Sequence, residues 1–112
     1  MQPAKLDIAQ QPSSNATLIA RLTGKLSLET VNGFLQETRA ISAEKLVLDM
    51  SGVSYLDSAG VGALVQLFVH RRGQSKKMGV AALTAQGAAV LQVAGLTKLL
   101  PTFATVQDAE AA

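Results

Sequence analysis

The sequence predicts an α/β fold: a mixed β-sheet with helices packed mainly on one side. Three observations predict it. Leu46, Val47, Leu48 and Met50 form a nearly unbroken apolar run, as in a strand buried on both faces, and an apolar segment follows from Asp57-Ser58 to Gly73. Gly79 to Leu83 is a second short apolar run. If it lies parallel to the first, a crossover must join them, and the segment ending at Gly73 supplies it as a helix. Nearer the start, Leu6 and Ile8, then Leu18, Ala20 and Leu22, alternate with other residues as in a β-hairpin, whose antiparallel pairing makes the sheet mixed.

Taken in order, Leu6 and Ile8 belong to the first strand and Gln10 to Asn15 reads as a turn. The second strand resumes at Ala16 and is expected to end at Gly24. Ser27 then offers an N-cap for a helix of about three to four turns, with Leu28, Val31, Phe34, Leu35 and Ile41 on its apolar side. Gly33 weakens that helix, and Glu29, Asn32, Gln36 and Arg39 form its solvated face. Ser51-Gly52 is expected to turn the chain after the central strand, with Asp49 tying down the turn. Asp57 and Ser58 both suit a helix start, because their oxygens accept bonds from unpaired backbone N–H groups. His70, Arg71 and Arg72 before Gly73 suit its end.

Gln74 to Met78 reads as a basic surface loop and Gly79 to Leu83 as the second parallel strand. Thr84 can cap a helix whose Val90, Leu91 and Val93 face the sheet, closed by Gly95. Leu96, Leu99 and Leu100 are expected to seal the edge. Thr102-Phe103 suggests a brief last strand, and Thr105 a terminal helix containing Val106 and Ala109.

The 112 residues suit one domain spanning 1–112. With 48% hydrophobic and 16% charged residues the chain is expected to be compact rather than disordered. A net charge of +2 is too mild to argue for nucleic acid or membrane. The absence of Cys excludes a disulfide framework and thiol chemistry, and fits the cytosol. Met1 to Pro12 lacks the apolar core of a signal peptide, and Val61 to Val69, broken by Gln66, is too short to span a bilayer.

Several chemistries fail on these residues. His70, the only histidine, lies twelve positions beyond Ser58 on the same expected helix, so a Ser–His pair would be about 18 Å apart. One His and scattered carboxylates give no metal-ligand cluster. Asp49 near a strand end invites comparison with a phospho-aspartate site, but the first strand offers only Asp7 and no acidic pair to hold Mg²⁺. Arg71, Arg72, Lys76 and Lys77 read as a solvated helix end and loop. None of the four aromatics is interleaved there to stack on bases.

The stretch DMSGVSYLDSAGVGAL, Asp49 to Leu64, closely resembles the signature of the STAS domain family, and specifically of bacterial anti-sigma factor antagonists. GKLSLETVNGF before the central strand and AGLTKLLPTF, Ala94 to Phe103, extend the resemblance over most of the chain. It implies the STAS fold, and regulatory phosphorylation on Ser58 of the D-S-A-G element. The unphosphorylated protein would bind an anti-sigma factor and free a sigma factor to act in transcription. An ATP-binding serine kinase, itself the anti-sigma factor, would phosphorylate Ser58 and end that binding; a serine phosphatase would restore it. ATP would belong to the kinase, so this chain is expected to be no enzyme and to need no cofactor. No direct nucleic-acid contact or membrane insertion is expected, and the implied location is cytoplasmic.

The expected contact patch is Ser54, Tyr55, Asp57, Ser58, Ala59, Gly60 and Gly62. Each has a purely structural alternative. Ser58 can be only a helix cap, worth about 1 kcal/mol. If Asp57 caps instead, Ser58 is left exposed at a helix start that tolerates a phosphate. Tyr55 and the neighbouring Leu56 can be core anchors. Gly60 and Gly62 each cost a helix about 1 kcal/mol relative to Ala, explained by close packing or by a smooth surface for a partner. Many antagonists carry Gly-Glu-Leu/Ile-Asp before the first helix, where this chain has Gly24-Lys25-Leu26-Ser27. The alternative function is a STAS subunit that docks on a transporter ATPase or scaffold without phosphorylation.

Overall fold

The structure is a computed structural model and describes residues 5–13 and 16–112. Among the described residues, five strands form one sheet in the order β1-β2-β3-β4-β5. These are β1 (Leu6–Pro12), β2 (Thr17–Leu26), β3 (Lys45–Leu56), β4 (Lys77–Ala81) and β5 (Thr102–Phe103). The helices are α1 (Val31–Arg39), α2 (Ser58–Gly73), α3 (Ala85–Val93) and α4 (Val106–Ala111). β1 and β2 pair antiparallel, and the remaining neighbours pair parallel. The mixed sheet and the α2 crossover between β3 and β4 match the expectation from sequence.

The main core lies between the sheet and three helices. Leu22, Leu48, Met50 and Leu56 of the sheet meet Phe34 of α1, Leu64 and Leu67 of α2 and Leu91 of α3, all almost fully buried. Burying such side chains contributes about 1.5–3 kcal/mol each. On the opposite face, among the described residues, α4 covers the sheet, with Ala109 and Val106 against Val47, Ala81 and Phe103. That second cover explains why Val47 of β3, on the face opposite the main core, is apolar and fully buried.

Several boundaries differ from the sequence reading. β1 continues to Pro12, so the expected turn at Gln10 is displaced, and its Ser14 and Asn15 lie outside the described residues. β2 does not end at Gly24 but runs to Leu26. Gly24 instead adopts φ +116°, where a Cβ would lie 2.2 Å from the Lys5 carbonyl oxygen, so a glycine is required inside the strand. β3 likewise runs through Ser51-Gly52 to Leu56. The Asp49 carboxylate accepts from both the Ser51 N–H (3.0 Å) and the Ser51 hydroxyl (2.7 Å). This turn chemistry produces an irregularity in the pairing with β2, between Arg21 and Thr23, rather than a chain reversal.

The first helix starts at Val31, not at Ser27. Thr30 Oγ accepts from the Ser27 N–H (3.0 Å) and donates to the Lys25 carbonyl (2.8 Å), closing a separate turn ahead of the helix. Leu28 is thereby turned away from the core and is 73% exposed. At the other end of the chain β4 begins at Lys77, so the basic loop is shorter than expected.

Arg71 corrects the expectation of a solvated basic helix end, because its side chain is buried. Its guanidinium donates to the carbonyls of Lys77 (3.0 Å), Ile41 (3.2 Å) and Ala43 (2.6 Å). One side chain thus ties α2 to the segment before β3 and to β4. Burial lowers the Arg71 pKa. Arg72 stays exposed, its guanidinium 5.8 Å from the Phe68 ring centroid.

Candidate functional site

The loop at the end of β3 delivers Asp57 in an extended conformation (φ −107°, ψ −177°) as the N-cap of α2. Its two carboxylate oxygens are divided between two segments. Oδ1 accepts from the Gly60 N–H at 2.8 Å, and Oδ2 from the Leu28 N–H at 3.1 Å. The Asp57 N–H itself donates to the Leu26 carbonyl at 3.3 Å. Asp57 therefore performs the capping that Ser58 could have performed. Ser58 occupies the first position of α2 with an exposed side chain.

The other expected patch residues fall around it unequally. Ser54 is exposed and donates to the Gly24 carbonyl at 3.2 Å. Tyr55 is 46% exposed and so is no core anchor, whereas Leu56 is fully buried and is one. Ala59 is half-buried. Gly60 is explained by packing: a Cβ there would lie 2.3 Å from the Leu26 carbonyl oxygen and 2.7 Å from Leu56 Cδ1. At Gly62 a Cβ would meet nothing within 4 Å, so no internal contact requires that glycine.

The surface includes residues that the sequence reading assigned elsewhere. Val93 was expected to face the sheet, yet it is 89% exposed. With Ala89, Val90 and Ala94 of α3 and its C-cap, and Val61 of α2, it lines an open, almost wholly apolar groove of about 440 Å³ that reaches Ser58. The signal was present in the helical repeat. At about 100° per residue, Leu91 and Val93 point to nearly opposite sides, so both cannot face the sheet. Leu28 adds a further exposed apolar side chain beside Asp57.

Gln86 was also missed. From the first turn of α3 its side-chain oxygen accepts from the Leu56 N–H (2.9 Å), and its amide nitrogen donates to the Leu56 carbonyl (2.7 Å). No local sequence pattern marks this contact, because it joins segments thirty residues apart. α3 is itself capped by Thr84, whose hydroxyl accepts from the Gly87 N–H at 3.2 Å.

Asp49 belongs to a different place. It is buried, accepts the two Ser51 bonds, and pairs with Arg21 at 3.1 Å. Burial pushes its pKa up, but the Ser51 bonds and Arg21 outweigh burial and leave it lowered. A carboxylate engaged in this way is a structural tie. Among the described residues, no group of three or more His, Cys, Asp or Glu could hold a metal ion. Among the same residues, no helix is long and apolar enough to cross a membrane.

With this fold and helix start in view, the chain belongs to the STAS domain family, whose profile matches residues 6–109. Among solved structures, an anti-sigma factor antagonist from Mycobacterium paratuberculosis has a TM-score of 0.85 at 23% identity, over 96% of this chain and 92% of that one. The unphosphorylated form of the anti-sigma factor antagonist SpoIIAA, from Bacillus, has a TM-score of 0.77 at 18% identity, over 93% of each chain. The murine anion transporter Solute Carrier 26 family member A9 has a TM-score of 0.78 at 19% identity, over 98% of this chain and 22% of that one. At these identities the likeness is one of fold.

Proposed function

We propose that this chain is an anti-sigma factor antagonist, a cytoplasmic binding module rather than an enzyme, controlled by phosphorylation of Ser58. The observation that carries this is the division of labour between Asp57 and Ser58. Asp57 caps α2, leaving the adjacent hydroxyl exposed at the electropositive end of a sixteen-residue helix. A phosphate can be added there without removing the cap. The surrounding surface supports a docking role: Leu28, Tyr55 and Val93 are exposed, and the groove beside Ser58 carries no charged side chain. A phosphate at its rim adds about −1.5 to −2 charges, which a partner docking an apolar surface there would have to desolvate at a cost.

On this proposal an anti-sigma factor binds the unphosphorylated patch Ser54, Tyr55, Asp57, Ser58, Ala59, Gly60 and Gly62. Its serine kinase activity then modifies Ser58, and a serine phosphatase reverses the change. SpoIIAA, of the same fold, has been solved in both unphosphorylated and phosphorylated forms. The direct test is the mass of the tryptic peptide from Leu46 to Arg71 isolated from native cells. One phosphate, removable by phosphatase and located on Ser58, is expected. Phosphate on Ser51 or Ser54 instead contradicts the assignment.

A second reading has its own support in the structural likeness to the anion transporter. On that reading the same surface docks on a transporter or scaffold without modification. Peptide from cells grown under varied conditions that never carries phosphate would favour it.

A further inference from the structure

The hydrogen bonds around Leu56 point to a residue that governs how the Ser58 hydroxyl is presented, and it lies on a different helix. β4 pairs with β3 only as far as Asp49 opposite Ala81. Beyond that point β2 still flanks β3 on one side, with Leu26 opposite Leu56. On the other side β4 has ended, and a strand residue's N–H and carbonyl there would lack a ladder partner. Gln86 supplies one: its amide bonds both groups of Leu56, at 2.9 and 2.7 Å, as a neighbouring strand would. Gly87 brings the same turn of α3 close, since a Cβ on it would lie 3.6 Å from Leu56 Cδ2.

We propose that Gln86 is a positioning residue for phosphorylation of Ser58, acting through the backbone of Leu56. The inference rests on Ser58 being the phosphoacceptor. Two backbone bonds from one planar amide fix the orientation of the Leu56 peptide groups. Asp57 follows, held by the Leu26 carbonyl and by its own bonds to Leu28 and Gly60. The Ser58 hydroxyl is therefore carried on a segment clamped from β2 on one side and from α3 on the other. Phosphoryl transfer is sensitive to placement of the attacking oxygen, because positioning supplies much of the catalysis. α3 also forms one wall of the groove beside Ser58, so the element that binds there and the element that aims the serine are the same.

Gln86→Met keeps the side chain's length and removes both bonds. Gln86→Glu keeps an acceptor for the Leu56 N–H but sets an oxygen against the Leu56 carbonyl. Thr105→Ala loosens the start of α4, on the opposite face of the sheet, without touching Leu56 or α3. Each protein is incubated with ATP and an extract of the native cells as kinase source. Initial rates of Ser58 phosphorylation are followed by mass spectrometry across protein concentrations at one fixed amount of extract, so that ratios of maximal rates give ratios of kcat, and melting is recorded alongside.

For Gln86→Met, kcat is expected to fall about tenfold or more with KM changed less than about twofold. Gln86→Glu should fall between it and wild type, and Thr105→Ala should keep the wild-type kcat despite a lower melting temperature. Amide exchange at Leu56, Asp57 and Gly60, whose N–H groups are hydrogen-bonded, should quicken in Gln86→Met and not in Thr105→Ala. Wild type labelled on Ser58 with an unchanged kcat in both Gln86 variants would overturn this inference alone. A kcat loss in Thr105→Ala equal to that of Gln86→Met would overturn it too, because the rate would then follow overall stability rather than the Leu56 bonds. Wild type unlabelled on Ser58 would overturn the phosphoacceptor assignment and this inference with it.

Discussion

Asp57 and Leu28, twenty-nine residues apart, are joined by a 3.1 Å hydrogen bond from the Leu28 N–H to Asp57 Oδ2. The other oxygen of the same carboxylate caps α2. The residue before the proposed phosphoacceptor thus sets both the helix start and the position of an exposed leucine. Asp57→Ala should cost about 0.5–2 kcal/mol by loss of the cap. It should also speed amide exchange at Leu28. Asp57→Asn should retain most of the stability, because Asn caps nearly as well, yet it keeps only one of the two bonds, since its NH2 group cannot accept. Denaturant unfolding and exchange measured on both variants check this.

Gly60 and Gly62 are expected to respond in opposite directions. Gly60→Ala places a Cβ 2.3 Å from the Leu26 carbonyl and should destabilise by about 1–3 kcal/mol through overpacking. Gly62→Ala meets open space and should stabilise the free protein by up to about 1 kcal/mol from helix propensity. If Gly62 serves a partner's close approach, the same change weakens partner binding. Thermal unfolding separates the first two effects, and calorimetric titration with the partner decides the third.

Much of the fold could be read in the sequence because it is written in local chemistry. Apolar runs mark β3 and β4, and Asp57, Thr84 and Thr105 stand as caps where side-chain oxygens were expected. Gly95 closes α3 with φ +73°. What escaped was set by partners distant in the chain. Gly24 and Ser51-Gly52 look like stops, but pairing with neighbouring strands carries β2 and β3 through them. Arg71 looks like a solvated cation until three carbonyls from other segments surround it. At the site, Asp57-Ser58 was legible. The contributions of Leu28, Gln86 and Val93 depend on how α1 and α3 are placed around it.

Arg71 should be among the most sensitive polar positions. Arg71→Ala strands three carbonyl oxygens, and each buried unsatisfied group costs about 1–3 kcal/mol, so a loss of about 3 kcal/mol or more is expected. Arg71→Lys should recover little, because an ammonium cannot reproduce the planar fork that reaches all three acceptors. Urea unfolding of both variants gives the comparison.

Acid should find a weak point at Asp49. Its pKa is lowered in the folded state, so its contribution to stability is present above the ordinary carboxylate range. It is lost as pH falls through the folded value, below about pH 4. The Arg21 side chain is 65% exposed, so the pair itself is screened and the Ser51 bonds carry most of the effect. Asp49→Asn should be less stable than wild type at neutral pH, with the difference shrinking in acid. Unfolding curves from pH 7 down to about pH 3 test the sign.

Ser58→Asp should melt close to wild type. Asp at a helix start is favoured by about 0.3–1 kcal/mol, and Asp57 retains the cap. A large fall in melting temperature would mean that the modification acts by unfolding rather than at an interface.

Calorimetric titration of the cognate anti-sigma factor with two forms of this protein, one carrying Ser58 and one carrying phosphoserine there, decides whether Ser58 is an interface switch. Phosphorylation of Ser58 should leave melting unchanged and weaken the affinity at least about tenfold. Equal affinity of the two forms would contradict it.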